Sequence, residues 1–263
     1  HFEWRPVGGK SFVRLGRQEI ALGSGRLLAA NDGANIRRRF DGVHSEWQRG
    51  KWTVAAVAAG VVQVRLGVFD DRGTPDRLML GAGIVHGDPF GSSEALYLLR
   101  TRSNTPSFGS PPGTLARYTI GSRFVRRQGA RLLEGEAIGQ LGSDQQGHLI
   151  RAWASAGELS SELAKIGPAG LIAGIKVSVA SGDKSSADRV IGGFDPLFPN
   201  PAFTGSFPLF APTNIAALNP AISLRWPDGH RIGVDTALMQ QVTRGDAVYN
   251  FGGAPVAATG GGR

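Results

Sequence analysis

Among the side chains able to do chemistry, arginine dominates. The chain has 24 arginines and 5 lysines, and 29 basic against 21 acidic residues leave a formal charge of +8. A guanidinium fork grips carboxylates and phosphates in a bidentate way, so an anionic partner is one reading. A GC-rich genome is the other, and the ratio does not separate them. Nucleic acid is disfavoured as a partner. The arginines are spread along the chain, and the one dense run, Arg37-Arg38-Arg39, is short. Catalysis finds little footing. His1, His44, His86, His148 and His230 show no metal-ligand spacing. There is no G-x-S-x-G elbow, no Walker loop and no H-E-x-x-H. Glu134 and Glu136 could form a carboxylate pair, but a glycosidase sets its pair across a bond, about 5–10 Å apart. Two positions apart on one strand face, they read better as partners for arginine. Without cysteine there is no disulfide, thiolate metal site or Cys nucleophile, which is compatible with an oxidising compartment. No enzyme activity, metal or cofactor is expected.

These residues must be positioned by strands. Glycine supplies 39 of 263 residues, an excess that disfavours a helical bundle, because each Gly inside a helix costs about 1 kcal/mol. With 41% hydrophobic and 19% charged residues, the chain is not of the disordered, highly charged class. The longest apolar run, 54–62, is too short for a membrane-spanning helix of about 20 residues, though long enough for a membrane strand. Period-2 alternation is the recurrent signal. Arg117, Thr119, Gly121 and Arg123 oppose Ala116, Tyr118, Ile120 and Phe124. Glu134, Glu136 and Gln140 oppose Leu133, Ala137 and Leu141. Similar patterns cover 174–180, 221–226 and 231–240. Further strands are expected at 11–20, 37–47, 52–64, 77–85, 94–102 and 148–163, giving about 11 in all. The 52–64 segment is apolar on both faces, so a core strand or a helix fits it, and 77–85 alternates weakly. Tight polar turns fall at 48–51, 126–129 and 227–229. Long connections fall at 22–36, 70–76, 103–113 and 181–219.

Alternation alone fits two folds. A soluble sandwich turns its apolar face inward, whereas a membrane barrel turns it to lipid and its polar face to a wet lumen. Two features favour the barrel. The apolar faces contain small residues that would pack a sandwich core poorly. Trp47, Trp52, Phe124 and Trp226 stand near strand ends, as an interfacial girdle requires. Short turns alternating with long loops fit the same architecture.

Several strings then resemble the bacterial alginate export family. They are Leu15-Gly16-Arg17-Gln18-Glu19, Gly23-Ser24-Gly25-Arg26-Leu27, Asn35-Ile36-Arg37 and Phe40-Asp41-Gly42-Val43. Ala180-Ser181-Gly182-Asp183 and Phe194-Asp195-Pro196-Leu197-Phe198-Pro199 follow, then Asn214-Ile215, Leu218-Asn219-Pro220 and Asp246-Ala247-Val248-Tyr249. None is diagnostic alone; their order along essentially the whole chain carries the likeness. The resemblance implies an all-β, antiparallel transmembrane β-barrel in the bacterial outer membrane, monomeric, whose Arg- and Lys-lined pore lets an anionic polysaccharide, a uronate polymer, leave the periplasm. Outer-membrane lipid and periplasmic export proteins are the other partners it implies. The chain opens on what reads as a strand, 1–5, and closes on Gly260-Gly261-Gly262-Arg263, without a terminal aromatic strand. The expectation is one barrel domain over 1–263, truncated at both ends and part of a larger closed barrel.

In that setting the pore-lining candidates, chosen by strand face and motif, are Arg14, Arg17, Arg37, Arg39, Arg117, Arg123, Arg151, Lys176, Arg225 and Arg231. Glu19, Asp41, Glu134, Glu136 and Asp235 are their acidic supports. A ring of guanidinium groups replaces part of the hydration of a passing carboxylate, and weak multi-site binding keeps a polymer moving. For any single arginine, a structural ion pair between neighbouring strands is an equal alternative. The 181–219 segment, with Phe194, Phe198, Phe203, Phe207 and Phe210, is expected to fold over or into the barrel mouth as a plug or gate. A porin for small anions is the second reading of function, and a soluble carbohydrate-binding β-sandwich is the third.

Overall fold

Glycine at the first position of two-residue loops sets the hairpins of this chain. Gly50, Gly129 and Gly167 have φ of 59°, 56° and 58°, the left-handed backbone that matches a tight turn to the twist of its flanking strands. They join long strands that follow one another in sequence. The computed structural model describes all residues except 8, 22–23, 31–36, 64–70, 89–90, 105–107, 186, 201–209 and 258–263. The motif residues Gly23, Asn35 and Ile36, the phenylalanines Phe203 and Phe207, and the tail 260–263 lie outside the described residues.

The described elements are all strands. In order they are β1 (Phe2–Trp4), β2 (Phe12–Gln18), β3 (Phe40–Arg49), β4 (Trp52–Gln63), β5 (Arg72–Gly87), β6 (Ser93–Ser103), β7 (Leu115–Gln128) and β8 (Arg131–Asp144). There follow β9 (Leu149–Ile166), β10 (Ala169–Ala180), β11 (Val190–Ile191), β12 (Ile215–Arg225), β13 (Arg231–Asp235), β14 (Leu238–Gln241), β15 (Val248–Tyr249) and β16 (Pro255–Ala257). Each strand from β1 to β10 pairs with the next, and β10 then pairs with β12. Those pairings are antiparallel. β12 is flanked by β13 and β14 in succession, β11 adds to β9 in parallel, and β15 with β16 forms a separate hairpin. No pairing among the described residues joins β1 to β13, so the sheet is open, as a segment of barrel wall is.

The 52–64 segment is strand, β4, and not helix. The long connection expected at 70–76 is corrected. β5 starts at Arg72, and Gly73 already pairs with Val62. Its charged residues look like a loop because that end of the strand lies beyond the apolar band, where both faces are polar. The expected strand at 231–240 is split into β13 and β14 at residues 236–237.

The turns after β3, β5, β7, β9 and β12 lie at one end of the sheet, termed the short-turn end. The opposite end carries the longer connections, apart from the short one between β8 and β9. The two faces differ in what covers them. Ile20, residues 24–30 and residues 192–200 lie across one face. Their Ile20, Leu27, Leu28, Phe194 and Phe198 are buried with Phe40, Val57, Met79, Tyr97, Leu99, Ile138 and Ala152 from β3 to β9. The isolated bridge between Leu28 and Phe198 ties the two segments to each other. The other face carries exposed Val54, Leu80, Leu96, Leu98, Ile120, Leu133 and Leu159. The first is called the packed face, the second the bare face.

Candidate functional site

Period-2 geometry assigns each charged side chain to a face once register is known. On β7 the packed face takes Arg117, Thr119, Gly121, Arg123 and Val125. On β8 it takes Glu134, Glu136, Ile138 and Gln140. Gly121 stands directly across from Tyr97, and a Cβ there would come within 2.2 Å of the Tyr97 ring. The glycine therefore lets the tyrosine lie flat over the strand and reach Glu136.

Glu136, 5% exposed, is the centre of one cluster. Its Oε1 accepts the Tyr97 hydroxyl at 2.9 Å, while its Oε2 accepts Ser24 Oγ and lies 3.6 Å from Arg26 Nε. Burial lowers the Arg26 pKa, and the carboxylates of Glu136 and Glu134 work against that shift. Next to it, Arg123 Nε donates to Glu134 Oε1 at 3.1 Å. Gln140 is the centre of the second cluster. Its Oε1 accepts Arg117 Nη1 at 2.9 Å and the Asp195 amide at 3.0 Å, and its Nε2 donates to the Asp195 carbonyl at 2.8 Å. A side-chain amide thus pairs with backbone as a strand would, and holds residues 194–198 on the sheet. Arg117 is 2% exposed and its Nη2 has no hydrogen-bond partner. Phe198 lies under two guanidinium groups, with Arg38 Cζ 4.2 Å and Arg77 Cζ 5.3 Å from the ring centroid. Burial, then the charge of Arg77, pulls the Arg38 pKa down to about 10.

Toward the short-turn end the packed face opens into a cavity of about 520 Å³. Lys176 pairs loosely with Glu158 at 3.6 Å. Arg225 and Arg231 are cross-strand partners, and Arg127, Arg131, Asn219 and Asp235 share the lining. Like charges set opposite each other destabilise a sheet unless water or an anion screens them. Asn219 is 6% exposed and its Nδ2 lacks a partner.

Of the candidates from sequence, Arg14, Arg117, Arg123, Lys176, Arg225, Arg231, Glu134, Glu136 and Asp235 are on the packed face. Arg14 donates to Glu3 at 2.6 Å and stacks on Phe12 at 4.8 Å. Arg37 and Glu19 pair at 3.0 Å in the connection before β3, where Arg39 is exposed. The others are not brought together with these. Arg17 and Asp41 form a two-point pair at 3.0 Å on the bare face, level with Leu15 and Val43. Arg151 is on the bare face too, alternating with buried Ile150 and Ala152 and in step with exposed Trp153. Arg26, Arg38, Arg77, Tyr97 and Asp195 went unselected. The Gly23–Leu27 and Phe194–Pro199 strings and the Arg37–Arg39 run contain Arg26, Asp195 and Arg38, and nothing in the sequence pattern singles out Arg77 or Tyr97.

The bare face has aromatic borders. Trp4, Trp47, Trp52 and Phe124 are exposed near the short-turn end, and Tyr118 and Trp153 are exposed toward the other. The Trp4 and Trp47 rings lie 6.4 Å apart, tilted by 54° to each other. Phe124 lies over Gly135, where a Cβ would come within 2.4 Å of its ring. Comparison with known proteins agrees with this arrangement. The alginate export family matches residues 5–263, nearly the whole chain. No curated protein matches the chain.

Proposed function

The chain belongs to the alginate export family, and from that premise we propose that it forms part of an outer-membrane channel whose packed face is the lumen. The observation that carries this is the bare face. Exposed Leu80, Leu96, Leu98, Ile120, Leu141 and Leu159 form one apolar band across adjacent strands. A water-soluble sandwich buries such a band, whereas a membrane barrel presents it to lipid between aromatic girdles. The soluble carbohydrate-binding reading has no comparable support.

The permeant ion is an anionic polysaccharide, a uronate polymer. Its carboxylates meet Arg225, Arg231 and Lys176 in the open cavity. No step in passage makes or breaks a covalent bond, so no catalytic group is needed. Residues 181–219 act as a gate, supported by Phe194 and Phe198 under the strands and by the Gln140–Asp195 contact. The packed face is narrowed by these segments, which favours small anions as the second reading.

The test is a planar bilayer holding the protein in a salt gradient, with polymannuronate added to one side. An anion-selective current blocked by polymannuronate and untouched by neutral dextran supports polymer export. An anion-selective current indifferent to the polymer leaves a small-anion porin. An unselective current, or a chain soluble without detergent, overturns the reading.

A further inference from the structure

The cations on the bare face are distributed unevenly. At the short-turn end, the bare-face Arg126 is neutralised by Glu94, its cross-strand diagonal neighbour. Near the other end Arg100, Arg102 and Arg151 are exposed on the same face, and none forms an ion pair with a described residue. Arg100 stacks on the ring of Tyr118, 5.8 Å from its centroid. Asp76 is exposed one row beyond Arg102 on β5 and does not pair with it. The register puts Arg100, Tyr118, Leu141 and Arg151 in one row across β6 to β9. At about 4.8 Å per strand, Arg100 and Arg151 are about 14 Å apart. Immediately below the row, toward the short turns, comes the row of Leu98, Ile120, Gly139 and Trp153, with exposed Leu96 next to it on β6.

These arginines cannot serve a lumen on the opposite face. An arginine at the border of a lipid-facing band is tolerated, at about 0–1 kcal/mol, because its head reaches the interface. Three of them, without counter-ions among the described residues and around a tyrosine, form a surface for planar anions. Long connections mark the outer side of such barrels, so the anions available at this level are headgroup phosphates of the outer leaflet. We infer that Arg100, Arg102 and Arg151 form an exterior site for the phosphorylated headgroup of an outer-leaflet lipid, its acyl chains lying on the apolar surface that begins at Leu98, Ile120 and Trp153. The inference rests on the reading of the bare face as lipid-facing.

Native mass spectrometry of the detergent-solubilised protein, titrated with bisphosphorylated lipid A, tests it. The expected result is a lipid adduct that weakens about tenfold in the triple variant R100Q/R102Q/R151Q and is unchanged in Arg126→Gln. The lysine triple R100K/R102K/R151K keeps most of the binding. Dephosphorylated lipid A binds the unaltered protein about tenfold more weakly, and that comparison decides the matter even if the glutamine triple does not fold. Inorganic phosphate in large molar excess leaves the adduct in place. Equal binding of the dephosphorylated lipid, displacement by inorganic phosphate, or an unaffected glutamine triple would overturn the site. Bilayer selectivity is read separately: it stays unchanged in the glutamine triple, and a missing anion-selective current counts against the channel reading alone.

Discussion

The middle of the packed face and its short-turn mouth are built from the same residue types to different ends. In the middle, Glu136 is met by Tyr97, Ser24 and Arg26, and Gln140 bridges Arg117 to Asp195. At the mouth Arg225 stands beside its cross-strand partner Arg231 in the lining of a cavity of about 520 Å³, and Lys176 reaches Glu158 only at 3.6 Å. Buried charges are held by their partners and are structural; charges facing water with like neighbours are left free to meet a ligand. Alternation along a strand is the same in both places. Coverage by Ile20, residues 24–30 and residues 192–200 makes the difference.

The largest expected effect is a break in the middle. Glu136→Ala leaves Arg26 buried without its carboxylate and should destabilise the protein by about 3–5 kcal/mol, read as an earlier loss of the folded, heat-shifted band on gels. Gly121→Ala, by forcing the Tyr97 ring off its strand, should cost about 1–3 kcal/mol in the same assay. Gln140→Leu removes the Asp195 contact and strands Arg117. Expected are a loss of about 1–3 kcal/mol and a longer open time in bilayers if residues 181–219 gate the lumen; an unchanged open time would count against the gate. At the mouth the contrast reverses. Arg225→Gln with Arg231→Gln should change stability by no more than about 0.5 kcal/mol, while the reversal potential moves toward zero and polymannuronate block weakens. If instead the protein is clearly destabilised, the two regions are not different in kind.

The smallest effect concerns pH. Burial raises the Asp183 pKa above its ordinary value of 3.8, helped by the nearby charges of Asp246 and Asp188 and opposed by amide hydrogen bonds. A raised carboxyl pKa means the folded form holds the proton more tightly than the unfolded one. Its stabilising contribution is complete below pH 3.8 and is lost as pH rises through the raised value. Limited proteolysis between 181 and 192 should therefore be slower at mildly acidic pH than at neutral pH, and Asp183→Asn should flatten the dependence.

The sequence made the β7 and β8 faces legible because their polar side carries Arg, Thr and Glu and their apolar side Tyr, Ile and Leu. It made β5 obscure because Gly81 and Gly83 replace side chains on the packed face. Arg151 is on the bare face because its neighbours Ile150 and Ala152 are the ones buried beneath the covering segments, which alternation in 148–163 cannot show. Arg17 and Asp41 were chosen by motif, which carries no parity. Parity groups residues on a common face but does not say which face is covered, and that depends on contacts from distant parts of the chain. The phenylalanines of 181–219 announce a segment that packs against the barrel, but the joint that seats residues 194–198 leaves no pattern of residue types, because its bonds run from the Gln140 side chain to backbone atoms.

The Gln140 contact has one mechanical consequence. The sheet keeps its own ladder of interstrand bonds whether or not Asp195 is engaged, since Gln140 joins them through a side chain. The covering segment can exchange that joint for water without loosening a single rung of the wall. The joint is weaker than either part it connects, so load applied to the segment is released there first, and the wall stays in register.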